Sequence, residues 1–112
     1  VEIFIFGNPV VQSFFPKTND RTDALIQRLL VAALIEARSC ERFKVFADNM
    51  EDPELSKFYL DLMVSEANHY TTFLGFARQY QDRAIVDQKW NSLLEFEAQM
   101  MANRGNKAKV HG

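Results

Sequence analysis

Two acids and an imidazole lie where such groups are costly to place. Glu36 has Ala32, Ala33 and Cys40 one helical turn away and Leu29 and Phe43 two turns away, which puts a carboxylate on an apolar stripe. Glu66 shares a face with Tyr59, Leu62, Met63, Tyr70 and Phe73, and His69 follows it one turn on. An isolated ionised carboxylate in such a setting costs several kcal/mol, so it must be protonated, paired or bound to a cation. Neither stripe offers Lys or Arg at the matching inward positions. Carboxylate oxygen with imidazole nitrogen is instead a ligand set suited to iron or manganese. A Glu on one helix and a Glu-x-x-His on its neighbour is also the donor pattern that one helix pair contributes to a two-metal carboxylate bundle. Glu-x-x-His alone is weak, being ordinarily a solvated surface pair. A polar network in which Glu66 and His69 simply satisfy one another also stays open.

These residues need long helices to hold them. Asp20 is a good N-cap with Asp23 in the first turn, and the pattern after it predicts a helix to about Asp48. Leu25, Leu29, Ala32, Ala33, Cys40 and Phe43 form its apolar stripe, with Arg38, Glu41, Arg42 and Asp48 mostly off it. Asp52 followed by Pro53 starts a second helix to about Tyr80, with Leu55, Tyr59, Leu62, Met63, Tyr70, Phe73 and Phe76 or Ala77 as its stripe. Only a few residues separate the two, so they should fold back as an antiparallel hairpin. If the hairpin turns near Glu51, Glu36 and Glu66 stand equally far from the turn, and at about 1.5 Å rise per residue they come level. A third helix is predicted over about Arg83 to Asn103, presenting Val86, Trp90, Leu93, Leu94 and Met101, with Gly105 as its stop and a polar, mobile tail beyond. Residues 1–20 alternate apolar positions and then carry Gly7, Pro9 and Pro16, which reads as an extended and loop segment covering part of the core. The class is all-α, divided as an N-terminal segment over 1–20 and a helical half-bundle over 21–112.

Composition narrows the function classes. The chain has 112 residues, 47% of them hydrophobic, the size of one small domain. A formal net charge of -2 gives no global field toward nucleic acid or an anionic membrane. The most apolar stretch, Leu29 to Ile35, is too short to span a bilayer. A single cysteine, Cys40, forms no internal disulfide, which fits a reducing cytoplasm.

Other candidates are weaker. Glu97 lies near the stripe of Trp90, Leu93 and Met101 and reads as a rim carboxylate. Cys40, one turn from Glu36, reads as a small core residue rather than a ligand. Tyr59 and Tyr70 are candidates for hydrogen bonding to the acids, although aromatic residues at this spacing usually pack. His111 reads as solvated, and Arg104, Lys107 and Lys109 form a small basic cluster of the kind that touches phosphate or merely ends a soluble chain.

The strings LLVAALIEARSCERF (29–43) and DPELSKFYLDLMVSEANHYTTF (52–73) resemble the second half of the bacterial tRNA hydroxylases that act on 2-methylthio-isopentenyl-adenosine beside the anticodon. The resemblance covers about residues 21–112. It implies a ferritin-like bundle holding two irons that activate O2 to hydroxylate the isopentenyl group, an enzyme drawing electrons from a reductase. On the matching motifs it implies Glu36 as a bridging or terminal carboxylate, Glu66 as a bridging carboxylate and His69 as a terminal imidazole, with no catalytic residue beyond these ligands. A complete site also needs a second Glu and a second Glu-x-x-His, and residues 1–20 hold Glu2 near their start and no histidine. Two expectations follow: an N-terminal half is missing, which the absent initial methionine favours, or two copies pair and each supplies half the ligands. Beside the hydroxylase stand two alternatives, a homodimeric ferritin-like metal-binding or oxidase protein and a catalytically incomplete helical scaffold.

Overall fold

The structure, a computed structural model, describes residues 14–15 and 18–111, with side chains described as far as Asn103. The expectation of an extended segment over residues 1–20 therefore lies largely outside the described residues. Three long helices follow in order: α1, Arg21–Asn49; α2, Pro53–Tyr80; and α3, Arg83–His111. Among the described residues there is no strand, and the all-α class holds.

Local chemistry sets each boundary. Asp20 is extended, at φ -77 and ψ 121, and its Oδ1 accepts the amides of Thr22 at 2.8 Å and Asp23 at 3.2 Å. These are donors that the first turn of a helix cannot satisfy itself. Asp52 does the same for Glu54 at 2.9 Å, with Pro53 at the first helical position, where a missing N–H costs nothing. The turn between is drawn tight through one atom. The Ala47 carbonyl accepts the Met50 amide at 3.4 Å and the Ser56 hydroxyl at 2.9 Å, so the last turn of α1 is tied to the first turn of α2.

The hairpin that results is antiparallel, and α3 packs along one side of it. Ile26, Leu30, Ala33 and Leu34 of α1, Leu74 and Ala77 of α2, and Val86 and Leu93 of α3 make the core. Phe14, Phe15, Tyr70, Phe73 and Trp90 pack against its edge. Ring stacking of Tyr70 on Trp90, with centroids 6.5 Å apart, and the Arg78–Asp87 ion pair at 2.8 Å fasten α3 to α2. The hydrogen bonds from Arg78 hold the Asp87 carboxyl below its ordinary value.

Three sequence expectations need correction. Of the expected α1 stripe Ala33 is fully buried, together with Ile26, Leu30 and Leu34, whereas Leu25, Leu29, Ala32, Cys40 and Phe43 are only half-buried. At about 100° per residue the two sets lie on different sides of the helix, the first toward the core shared with α3 and the second around Glu36. On α2, Ala77 is buried while Phe76 and Leu55 are exposed. Helix α3 also runs through Gly105 to His111 rather than stopping, and Met101 is 57% exposed. A helical glycine costs only about 1 kcal/mol relative to alanine, so Gly105 does not by itself end the helix.

Candidate metal centre

Because α1 and α2 run antiparallel from a tight turn, Glu36 and Glu66 arrive at the same height. One ligand atom each from Glu36, Glu66 and His69 lies within 4.8 Å of the other two. The His69 Nδ1 is 3.7 Å from the Glu36 Oε2 and 3.9 Å from the Glu66 Oε2. Both separations exceed a hydrogen bond. The Glu66 Oε2 is itself buried and has no hydrogen-bond partner. Mutual satisfaction of Glu66 and His69, left open by the sequence, therefore does not occur in this geometry.

The donor spacing matches that around a cation. Ligand atoms held about 2.0–2.2 Å from a shared ion stand roughly 3 to 4.4 Å from one another, which brackets both imidazole–carboxylate distances. Two carboxylates bring the charge that a divalent ion would balance, and a neutral imidazole completes a mixed O/N set. Burial is graded across the group. The Glu36 and Glu66 side chains are 20% and 21% exposed, while His69 is 55% exposed, so the group opens to solvent at His69.

The remaining candidates sort differently. Glu97, expected on the rim, is buried at 8% exposure. Arg38, expected off the stripe, reaches it from α1. The Arg38 Nε donates to both Glu97 oxygens at 2.6 and 2.7 Å, its Nη2 also pairs with Glu97, and its Nη1 donates to Glu41 at 2.8 Å. These hydrogen bonds, Glu97 first, hold the guanidinium above its already high ordinary value. Arg38 lies two residues past Glu36, about 200° around α1, so the pair fixes α3 to the hairpin rather than joining the three donors. The signal that could have found it was Glu97 following Leu93 by one turn, with an Arg on the facing helix to neutralise it.

Tyr59 and Tyr70 are packing residues. Tyr59 lies against Phe43, Phe46 and Phe58, and Tyr70 against Trp90. Cys40 is a half-buried free thiol, and among the described residues the donor group contains only Glu36, Glu66 and His69. His111, Arg104, Lys107 and Lys109 belong to α3, and their side chains lie outside the described ones. A cleft of about 530 Å³, lined by Phe14, Phe15, Asp23, Ile85 and Lys89 among others, holds none of the three donors. Among the described residues no helix is long and apolar enough to cross a membrane.

Comparison with known proteins agrees with the motif reading. The family model described as tRNA-(MS[2]IO[6]A)-hydroxylase (MiaE) matches residues 14–112, reaching further toward the N-terminus than the motifs around 29–73 alone. The chain is similar to the tRNA 2-(methylsulfanyl)-N(6)-isopentenyladenosine(37) hydroxylase of Pseudomonas putida, at 36% identity over 87 residues, covering 78% of this chain and 42% of that protein. It is similar to the enzyme of the same name from Salmonella typhimurium at 51% identity over 55 residues, covering 49% of this chain and 20% of that protein. The chain thus spans less than half the length of these relatives. No solved structure matches it. With a family match that runs from Phe14 to the last residue and takes in Glu36, Glu66 and His69, the chain belongs to the tRNA-(MS[2]IO[6]A)-hydroxylase (MiaE) family.

Proposed function

We propose that this chain supplies half of the metal centre of an oxygen-dependent tRNA hydroxylase, with Glu36, Glu66 and His69 as its ligands. The complete centre would act on the isopentenyl group of 2-methylthio-isopentenyl-adenosine next to the anticodon. The observation that carries the reading is the buried, unpartnered Glu66 Oε2 facing two further donors across a cation-sized gap. Iron bound there would supply the activation of O2 by electrons from a reductase.

The chain's own residues have definite tasks. Glu36 and Glu66 carry the negative charge that neutralises the ion, and their apolar surroundings keep that charge from being screened by water. His69 turns Nδ1 toward both carboxylates and stands at the exposed edge, where it leaves the outward side of the group open to substrate. The relatives' names carry the choice of tRNA and of the modified adenosine; three donors carry only half of a two-metal ligand set.

Metal uptake tests the reading directly. Under anaerobic conditions the chain should bind iron(II), and Glu66→Ala should lose that binding. Full iron retention in Glu66→Ala would sink the proposal, and a chain whose melting temperature is unmoved by iron would return it to a helical scaffold. The substrate part is tested with the complete protein on tRNA carrying the isopentenyl modification, where a gain of one oxygen on that group is expected.

A further inference from the structure

The cleft of about 530 Å³ has a lining that the metal centre does not explain, and its volume falls within the range of small-molecule pockets. Three elements build it. Ile85, Gln88, Lys89 and Ser92 recur by threes and fours on α3, Asp23 comes from the first turn of α1, and Phe14 and Phe15 belong to the segment before α1. Asp23 stands about 140° around α1 from Glu36 and roughly 20 Å along it, so the cleft and the donor group are separate places on one helix.

The walls divide by chemistry. Phe14 and Phe15 meet edge to face, with centroids 4.8 Å apart and planes at 81°, and Phe14 also lies against Phe96 of α3 at 5.1 Å. With Ile85 they make an apolar, ring-lined wall. Asp23 and Lys89 line the same cleft from different helices and form no ion pair with each other. The Lys89 ammonium donates instead to the uncharged Gln81 carboxamide at 2.9 Å, which leaves its charge unbalanced and further N–H donors to use. An acid and a base held apart beside aromatic rings suit a ligand that carries hydroxyl donors, an anionic group and a flat ring together. A free amino acid would satisfy the two charges but leave more of the space empty.

We propose that this cleft binds a ribonucleotide, with its base against Phe14, Phe15 and Ile85, a ribose hydroxyl donating to the Asp23 carboxylate, and its phosphate on Lys89. Stacking against aromatic rings accepts any base, because every base has a π-face. Gln88 and Ser92 supply both donors and acceptors for a base edge, and an acceptor for the 2′-hydroxyl separates ribose from deoxyribose. The choice of a ribonucleotide rests on the RNA substrate proposed above, whereas the cleft and its unpaired charges do not. Its distance from Glu36 means that the nucleotide held here is not the one that reacts. It is either another nucleotide of the same RNA strand or a free one.

Titration of the whole isotope-labelled chain, with chelator present and amide shifts as the readout, tests the site without any metal. Adenosine monophosphate should shift the amides around Asp23, Gln88 and Ser92, and should bind roughly tenfold more tightly than either its deoxyribose analogue or adenosine. Asp23→Ala should remove the preference over the deoxyribose analogue alone, and Lys89→Ala the preference over adenosine alone. Ser92→Trp, which fills the cleft from an exposed position, should abolish binding while the helical circular dichroism stays unchanged. A short single-stranded RNA that competes more than tenfold better than the mononucleotide assigns the site to a strand; equal competition assigns it to a free nucleotide. Glu66→Ala should leave nucleotide binding intact, so a failure of the metal reading is seen separately from a failure of this one. No shifts with mononucleotide or RNA at millimolar concentration, shifts spread over the surface away from the cleft, or equal binding of ribose and deoxyribose forms would each overturn the proposal. So would binding of leucine or phenylalanine in the cleft where the nucleotide does not bind.

Discussion

Replacing Glu66 by methionine should make the metal-free protein more stable while destroying metal binding. The Glu66 Oε2 is a buried oxygen with no hydrogen-bond partner, and an unsatisfied buried polar group costs about 1–3 kcal/mol. Methionine keeps the length and the helix propensity of glutamate and adds no donor or acceptor needing a partner. The surrounding Tyr59, Leu62, Met63, Tyr70 and Phe73 suit its thioether. Because the Glu66 side chain is still 21% exposed, the lower part of the range applies, about 1–2 kcal/mol. For a domain near this size that raises the melting temperature by roughly 4–16 °C. Thermal unfolding followed by circular dichroism, with chelator and again with iron(II) or manganese(II), reads both consequences. The wild type should gain stability with metal, about 2.7 kcal/mol at a hundred times the dissociation constant, and the variant should gain none. A Glu66→Met protein that melts lower than wild type in chelator, or that keeps the metal-induced shift, would refute the assignment of Glu66 as a ligand held at a cost to the fold.

Three further outcomes follow from other parts of the structure. Glu97→Ala strands the Arg38 guanidinium against α1 and should cost about 2 kcal/mol in urea unfolding, discounted from a fully buried pair because Arg38 is 31% exposed, with metal affinity unchanged. Gly75→Ala should stabilise by about 0.5–1 kcal/mol, since nothing lies within 4 Å of the added Cβ and alanine is the better helix former; a loss in the same unfolding assay would show hidden crowding there. Asp87 has its folded pKa lowered by Arg78, so its contribution to stability is present above the unfolded value of about 3.9 and is lost as pH falls through the folded one. Acid titration of Asp87→Asn should accordingly show less stability lost below about pH 4 than wild type does.

What was legible in the sequence was whatever depends on neighbours along the chain. Asp20, Asp52 and Pro53 mark helix starts because capping is a contact over two or three residues, and the equal distances of Glu36 and Glu66 from the turn give their common height by rise alone. The misreadings depend on neighbours across space. Glu97 looked wet because its helix was expected to end soon after it, and Arg38 looked outward because the helix that covers it was not yet placed. The α1 stripe drawn through Leu25, Leu29 and Phe43 was real, but it borders the open side, while the fully buried Ile26, Leu30 and Leu34 owe their burial to packing that no single-helix pattern contains. Likewise Gly105 resembled a stop signal, yet a glycine stops a helix only when a left-handed turn follows, and no positive φ occurs among the described residues.

The double hydrogen bond at the Ala47 carbonyl bears on the order of folding. The bond from Ser56 to Ala47 closes a short loop, so little entropy is lost in starting the hairpin, and pairing of α1 with α2 can then extend from the turn toward Glu36 and Glu66. All three donors belong to that hairpin and none to α3, whose hold on the rest comes through side chains such as Glu97 and Asp87. A nascent chain would therefore have its ligand atoms in register once the hairpin closes, before its third helix has docked.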